Sequence, residues 1–145
     1  LQCDVVGIKD VDQRIQIVKR REAFSINPVA FREKYEGLMV ELRAKIDKAQ
    51  ALIPNVTTPP RIYKLIAQIC LDFDVDGHRA DIIIERAARA NAAFEGRLET
   101  TAEDVASAAA MALPHRMRRR PSEDEEFSEE SILKLVKSRE AELEG

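Results

Sequence analysis

Aromatic and sulfur-containing side chains are scarce in this sequence. It has no tryptophan, aromatic residues make up 5% of its 145 positions, and charged residues make up 34%. This composition is more typical of a helical protein packed with alanine and leucine than of a β-sandwich. The two cysteines, Cys3 and Cys70, lie in apolar stretches of the sequence. They are predicted to be buried thiols of an intracellular protein, not a disulfide or a metal site.

Motifs that would define several activities are also missing. The sequence has no Gly-x-x-x-x-Gly-Lys-Ser/Thr motif, so the chain by itself should not bind or hydrolyse ATP with any strength. His78 and His115 lack partners at metal-ligand spacing, and no metal site is predicted. No apolar run is long enough for a membrane span, and no signal peptide is recognisable. The net charge of −3 argues against a nucleic-acid partner. Because the chain begins at Leu1 without methionine, we expect a fragment of a longer protein.

The pattern of the first third of the chain predicts a short strand from Leu1 to Val6, ended by Gly7, and then two helices. Asp10 begins the first helix, and Asn27-Pro28 begins a second, which runs to residue 53 and carries only a thin apolar stripe. Such a helix is either a projecting arm or an ordinary amphipathic surface helix. The basic residues of the first helix are either solvated or in contact with a nucleotide or a neighbouring subunit: Arg14, Lys19, Arg20 and Arg21.

Three further helices are predicted to supply the core. Thr58 should cap the first of them, which buries Ile62, Leu65, Ile66, Ile69, Cys70 and Phe73. The second should begin at Asp76, end at Gly96 and bury Ile83, Ala87, Ala90 and Phe94. The third should begin at Thr101, end near Pro114 and bury Val105, Ala108, Ala109, Ala112 and Leu113. Residues 97–100 form a connection that could pair near Val56, and a last helix, either docked or mobile, is anchored by Ile132, Leu135 and Val136.

The helix start near Asp76 combines features that suit an anion. Arg79 falls in the first turn, where the helix dipole disfavours a cation by about 0.3–1 kcal/mol. Its side chain should slant toward the free amides of that turn, and Gly77 permits close approach. Arginine and free amides together are what a phosphate needs. From spacing alone, a local ion pair of Arg79 with Asp76 or Asp81 is an equally good interpretation.

A basic cluster and an acidic one follow each other after Pro114. The basic residues are His115, Arg116, Arg118, Arg119 and Arg120, and the acidic stretch runs from Glu123 to Glu130. The basic run has no interleaved aromatic residue. Mutual neutralisation, or contact of Arg116, Arg118 and Arg119 with an acidic subunit surface, is therefore favoured over nucleic-acid binding.

Several of these segments together resemble the C-terminal part of magnesium chelatase ATPase subunits, a family of AAA+ motors. The matching segments are Val75-Asp76-Gly77-His78-Arg79-Ala80-Asp81-Ile82, Glu85-Arg86-Ala87-Ala88-Arg89-Ala90, Ala93-Phe94-Glu95-Gly96-Arg97 and Leu113-Pro114-His115-Arg116-Met117-Arg118-Arg119. The resemblance extends over nearly the whole chain, up to about the acidic stretch. Its Gly-x-Arg-x-Asp start and Pro-His-Arg-x-Arg-Arg end are together quite specific to chelatases among AAA+ proteins.

The resemblance implies an all-α AAA+ lid domain with a long projecting helix over 28–53. The organisation would be a remnant strand of the AAA+ core (1–9), the helical lid (10–120), and an acidic linker with a C-terminal helix (121–145). Arg79 matches the sensor 2 arginine that reaches the γ-phosphate of ATP, with Gly77 and His78 beside it. ATP and Mg would be bound by the intact parent protein and not by this fragment.

The partners implied are other copies in an AAA+ ring, a second AAA+ chelatase subunit and a large catalytic subunit, in the cytoplasm or the plastid stroma. Whether magnesium or cobalt is inserted does not follow from these residues. Two other interpretations stay open at this point. One is a stand-alone helical adaptor that binds protein or nucleic acid through Arg116–Arg120, and the other is the lid of the chelatase's second AAA+ subunit.

Overall fold

A computed structural model describes residues 7–75, 77–113 and 129–144. Within these ranges the helices are α1 (Val11–Ile26), α2 (Pro28–Leu52), a 3-10 turn (Ile53–Asn55), α3 (Pro60–Asp72), α4 (Arg79–Phe94), α5 (Ala102–Ala112) and α6 (Glu129–Glu144). A parallel bridge joins Thr57 and Glu99. The predicted all-α class is therefore confirmed, and so is the pairing of residues 97–100 near Val56. The strand predicted over residues 1–6 lies outside the described residues.

The described residues divide into two compact units, one ending at Asp47 and the other beginning at Lys48. In the first unit, Asp10 caps α1 by accepting a hydrogen bond from the Gln13 amide at 2.8 Å. Asn27 caps α2 in the same way, because its side chain accepts from the Ala30 amide at 3.1 Å. Both helix starts follow the prediction. α1 has no buried residue at all.

The second unit is a bundle in which α4 and α5 pack closely and α3 and α6 cover them. Its largest fully buried apolar side chains come from all four helices: Ile62, Leu65, Ile69, Ile84, Val105, Leu113, Ile132 and Val136. The faces predicted for α3 and α5 are confirmed, except that Phe73 is only partly buried. Alanine dominates the α5 face, so its backbone can approach α4 closely.

The predicted register of α4 is wrong by one position. The buried residues are Ala80, Ile84, Ala88, Ala92 and Ala93. Ile83 and Ala87 are partly buried beside this face, whereas Ala90 is exposed. Three consecutive isoleucines offer three possible faces, and alanine is too small to decide among them. The choice is made by packing against α3 and α5.

Two helix ends use left-handed residues. Gly96 has φ of +74° and ends α4 in a Schellman motif, with the Arg97 amide donating to the Ala92 carbonyl at 2.8 Å. Asp74, with φ of +46°, plays the same part after α3. The Gly96 ending follows the prediction. The predicted cap at Thr58 is wrong, because its hydroxyl instead donates to Glu85 Oε1 at 3.1 Å.

The last helix is docked on the bundle. Ile132 and Val136 are completely buried against α3 and α5. Arg139 clamps the C-terminal end of α3, since its Nε and Nη2 donate to the two carboxylate oxygens of Asp72 at 2.8 and 3.0 Å. Of the two alternatives for this helix, the docked one is confirmed. Pro114 and the basic cluster after it lie outside the described residues, and α5 ends at Ala112, before that proline.

Candidate functional site

The connection from α3 to α4 sets the position of the candidate anion site. The Val75 amide donates to the Cys70 carbonyl at 3.2 Å and closes the end of α3. Gly77 has φ of +72°, a left-handed conformation that glycine adopts without a steric penalty. α4 then begins at Arg79, with His78 at the N-cap position. The predicted first helical position at Gly77 is therefore wrong, and the proposed cap Asp76 lies outside the described residues.

Buried contacts with α3 hold the first two turns of α4. Ala80 and Ile84 are almost completely buried on this face. The Cys70 thiol lies against the Asp81 carboxylate: burial, then the charge of Asp81 and a hydrogen bond to it, raise the thiol pKa to about 12. A thiol with such a pKa is almost entirely protonated at neutral pH, so it is inert packing as the sequence predicted. This packing fixes the direction in which α4 begins.

Arg79 and His78 are exposed at this fixed helix start. Among the residues that the structure describes, Arg79 makes no hydrogen bond and no ion pair. The alternative ion pair with Asp81 is therefore not formed, and the one with Asp76 involves a residue outside the described ranges. No described side chain caps the first-turn amides of α4 either. A free guanidinium beside uncapped amides is chemically suited to a phosphate or another anion.

Two other arginines in the same region already have partners. Arg89, on α4, donates from Nη2 to the Ile53 carbonyl at 2.9 Å. Arg97, just after α4, binds Asp104 with both Nη atoms, at 2.7 and 2.6 Å. The contrast shows that Arg79 is placed differently from arginines that stabilise the bundle.

The Asp104 carboxylate is a buried polar centre that the sequence analysis did not identify. It is completely buried and accepts from the Asn91 side chain at 2.7 Å, from Arg97, and from the Thr101 backbone amide at 2.9 Å. The sequence showed its capping-box spacing with Thr101. Nothing in the spacing showed that Asn91 and Arg97 would converge on it, because they come from another helix and the turn after it.

Opposing effects set the pKa of Asp104. Burial raises this pKa. The hydrogen bonds from Arg97, Thr101 and Asn91, together with the charge of Arg97, lower it by more, so the net pKa is below the ordinary carboxyl value. The carboxylate is therefore ionised whenever the protein is near neutral pH. This network fixes the corner between α4 and α5 and has a structural role, not a chemical one.

Other predicted features are limited by the described ranges. The proposed interface residues Arg116, Arg118 and Arg119 lie outside them, and their role stays a prediction. Within the described part of the chain, no group of three or more histidine, cysteine or acidic residues could hold a metal ion. None of the described helices is long and apolar enough to cross a membrane.

Comparison with known protein families shows which family this helical arrangement belongs to. A family model described as the AAA lid domain matches residues 63–135, just over half of the chain. The chain belongs to the AAA lid domain family. The matched range takes in α4 and α5 completely, so it contains both the Arg79 helix start and the Asp104 network.

Relatives with similar sequences agree with the resemblance to chelatases. The lid is 38% identical to a magnesium-chelatase subunit ChlI homolog of Methanocaldococcus jannaschii, over 94% of this chain and 37% of that protein. It is 36% identical to the magnesium-chelatase subunit ChlI of Synechocystis, over 94% of this chain and 39% of that protein. It is also 40% identical to an uncharacterized protein of Mycobacterium tuberculosis, over 86% of this chain and 20% of that protein. The predicted likeness to the lid region of the chelatase ATPase subunit is thereby confirmed, and the chain spans less than two fifths of these relatives.

Proposed function

We propose that this lid belongs to a motor subunit of an AAA+ chelatase, in which ATP hydrolysis in a ring drives metal insertion into a tetrapyrrole. The support is the similarity to magnesium-chelatase subunits over nearly all of this chain. Because the chain spans less than two fifths of those relatives, the phosphate-binding loop and the ring-forming core would come from the remaining sequence. The partners would be further copies, a second AAA+ subunit and a large catalytic subunit, in the cytoplasm or the plastid stroma.

Arg79 is the residue that would carry the lid's part in this activity, as a sensor of the γ-phosphate of ATP. The observation behind this assignment is its position at the first residue of α4, exposed and without a partner among the described residues. Gly77 would let the preceding turn approach the nucleotide, and His78 would flank it. A Mg ion bound with ATP would be held by the rest of the parent protein, because the described residues offer no suitable ligand cluster.

A sensing arginine acts by binding one nucleotide state better than another. The γ-phosphate is present in ATP and absent in ADP, so contact with Arg79 would favour one lid position only while ATP is bound. The first two turns of α4, held by the buried Ala80 and Ile84, would pass that change to the whole bundle. The lid therefore contributes a mechanical response, and the hydrolytic machinery lies elsewhere.

The test is ATP hydrolysis by the parent protein with Arg79 replaced by alanine. Loss of an arginine that stabilises the transferred phosphoryl group should lower kcat about a thousandfold or more. The matched control is Arg86→Ala, because Arg86 is also exposed on α4 and makes no bond to a described residue, yet lies about 10 Å further along the helix. Arg86→Ala should leave hydrolysis within about twofold.

Two outcomes would reject this role for Arg79. One is equal loss of activity in both variants. The other is unfolding of the 145-residue chain itself by Arg79→Ala, because an exposed residue without partners should change stability by no more than about 1 kcal/mol. Circular dichroism of the isolated chain measures the second outcome without any ATPase activity.

The lid of the second AAA+ chelatase subunit is the alternative that one observation favours. The relative from Mycobacterium tuberculosis is matched over only 20% of its length, so this kind of lid also occurs in a much longer protein. The parent reading frame separates the two. An integrin-like domain downstream of residue 145 would indicate the second subunit, and an upstream phosphate-binding loop without such a domain would indicate the motor.

The stand-alone adaptor is the remaining alternative, and its residues Arg116–Arg120 lie outside the described ranges. It would require micromolar DNA binding that weakens steeply with salt. Titration of the chain with a DNA duplex at two salt concentrations measures this directly.

A further inference from the structure

A groove between α1 and α2 is lined by cations and no carboxylate. Its volume is about 470 Å³, and its charged lining residues are Lys19 and Arg20 from α1 and Lys34 from α2. In the described residues none of these three forms an ion pair or a hydrogen bond. Three like charges that face one concave surface repel each other, and no carboxylate lines the groove to offset this repulsion. A negatively charged occupant would reduce it.

Aromatic rings form the apolar side of the groove. Phe31 and Tyr35 line it, and their ring centroids are 5.0 Å apart. Phe31 also meets Phe24 edge to face, at 5.7 Å. These rings are only partly buried, so apolar surface remains beside the cations. An occupant that matches the groove must therefore carry an apolar side chain among its negative charges.

These properties favour an acidic peptide over a nucleic acid. Single-stranded nucleic acids need open ring faces on which bases stack. Here Phe31 is in contact with rings on both sides, and the Lys34 ammonium lies 5.8 Å from the centre of the Tyr35 ring. A nucleic acid also needs a long basic track, whereas the basic lining of this groove consists of three residues. A short peptide needs only the groove itself.

We propose that this groove binds an acidic segment of a partner protein, in which aspartate or glutamate residues flank one aromatic or large aliphatic side chain. The carboxylates pair with Lys19, Arg20 and Lys34, and the apolar side chain lies against Phe31 and Tyr35. Recognition of acidic motifs by a cluster of basic side chains is a recurring mode of peptide binding. Because the pairs are solvent-exposed, binding is in the micromolar range or weaker and decreases with salt.

The experiment titrates the 145-residue chain into a fluorescein-labelled peptide of sequence Glu-Glu-Glu-Phe-Glu-Glu-Glu and follows fluorescence anisotropy. We expect saturable binding that weakens at least about tenfold when Lys19, Arg20 and Lys34 are all replaced by glutamate. The matched control reverses three charges on the same helices outside the groove: Arg14→Glu, Arg32→Glu and Arg43→Glu. This control should bind within about threefold of the unaltered chain. A peptide with alanine in place of phenylalanine should bind several-fold more weakly.

Four results would overturn the proposal. The first is that no saturable binding occurs up to about millimolar peptide. The second is that the groove variant and its matched control lose peptide affinity equally. The third is that a single-stranded oligonucleotide binds more tightly than the peptide and that the groove variant abolishes this binding. The fourth concerns the chain's own acidic residues. If neutralising Glu123, Asp124, Glu125 and Glu126 strengthens peptide binding, the groove's occupant is this chain and not a partner. Circular dichroism shows whether the variants keep their helices.

Discussion

The two compact units use apolar residues in opposite ways. α1 contains large aliphatic side chains such as Ile15 and Val18, yet none of its residues is buried. α5 is shorter and consists largely of alanine, yet seven of its 11 residues are buried. Small side chains let α5 approach α4 closely, whereas the side chains of α1, including Ile15 and Val18, stay at least partly exposed. Apolar content therefore does not predict burial, and the available partner surface does.

Removal of the buried carboxylate should have the largest effect on stability. Asp104→Ala leaves Arg97 and Asn91 without their acceptor inside the bundle, and the free energy of unfolding should fall by about 3–5 kcal/mol. Asp104→Asn keeps the shape but loses the charge, and its loss should be intermediate. Urea titration followed by circular dichroism measures both. Glu36→Ala, at an exposed site on α2, should change stability by less than about 0.5 kcal/mol. If both substitutions lower the free energy of unfolding by similar amounts, the proposed difference in packing between the two units is wrong.

A pair of isoleucines tests the same comparison with identical chemistry. Ile84 is completely buried, whereas Ile15 is 43% exposed. Ile84→Ala should cost about 2–5 kcal/mol, because it removes buried methyl groups and leaves a cavity. Ile15→Ala should cost less than about 1 kcal/mol. If Ile15→Ala is the more costly of the two, α1 packs against something in solution and the contrast between the units is wrong.

Acid should destabilise the bundle through Asp104. Its folded-state pKa is lowered, so its stabilisation is fully present above the ordinary carboxyl pKa of about 3.9. It is lost as the pH falls from that value through the lower folded-state pKa. Urea midpoints measured between pH 6 and pH 3 should therefore fall less in Asp104→Asn than in the unaltered chain. Parallel decreases in the two proteins would show that other carboxylates account for the acid sensitivity.

Much of the helical structure could be predicted because its helix signals are local. The caps at Asp10 and Asn27 and the buried face of α5 follow from side-chain chemistry within a few residues. The register of α4 could not be predicted, because Ile82, Ile83 and Ile84 fit the periodicity almost equally and the neighbouring helices decide among them. Thr58 has the right chemistry for a cap, but a distant carboxylate, that of Glu85, competes for its hydroxyl.

The position of Arg79 in the fold could be predicted from the sequence, but its surroundings could not. Arg79 stands in the first turn of a helix, as the sequence indicated. The anchor beneath it, Cys70 against Asp81, depends on two helices whose relative position no local pattern encodes. The groove between α1 and α2 was missed for the same reason. Lys19 and Lys34 are 15 positions apart in the sequence and face one space only because the chain turns at Asn27.

The bidentate ion pair between Arg97 and Asp104 has a mechanical consequence. Arg97 belongs to the turn that ends α4, and Asp104 belongs to the first turn of α5, so the two helices are clamped at the corner where they meet. A displacement of the N-terminal end of α4 would then be transmitted to α5 with little bending at this corner. This corner would therefore move as one rigid unit, and any hinge would lie in another segment of the protein.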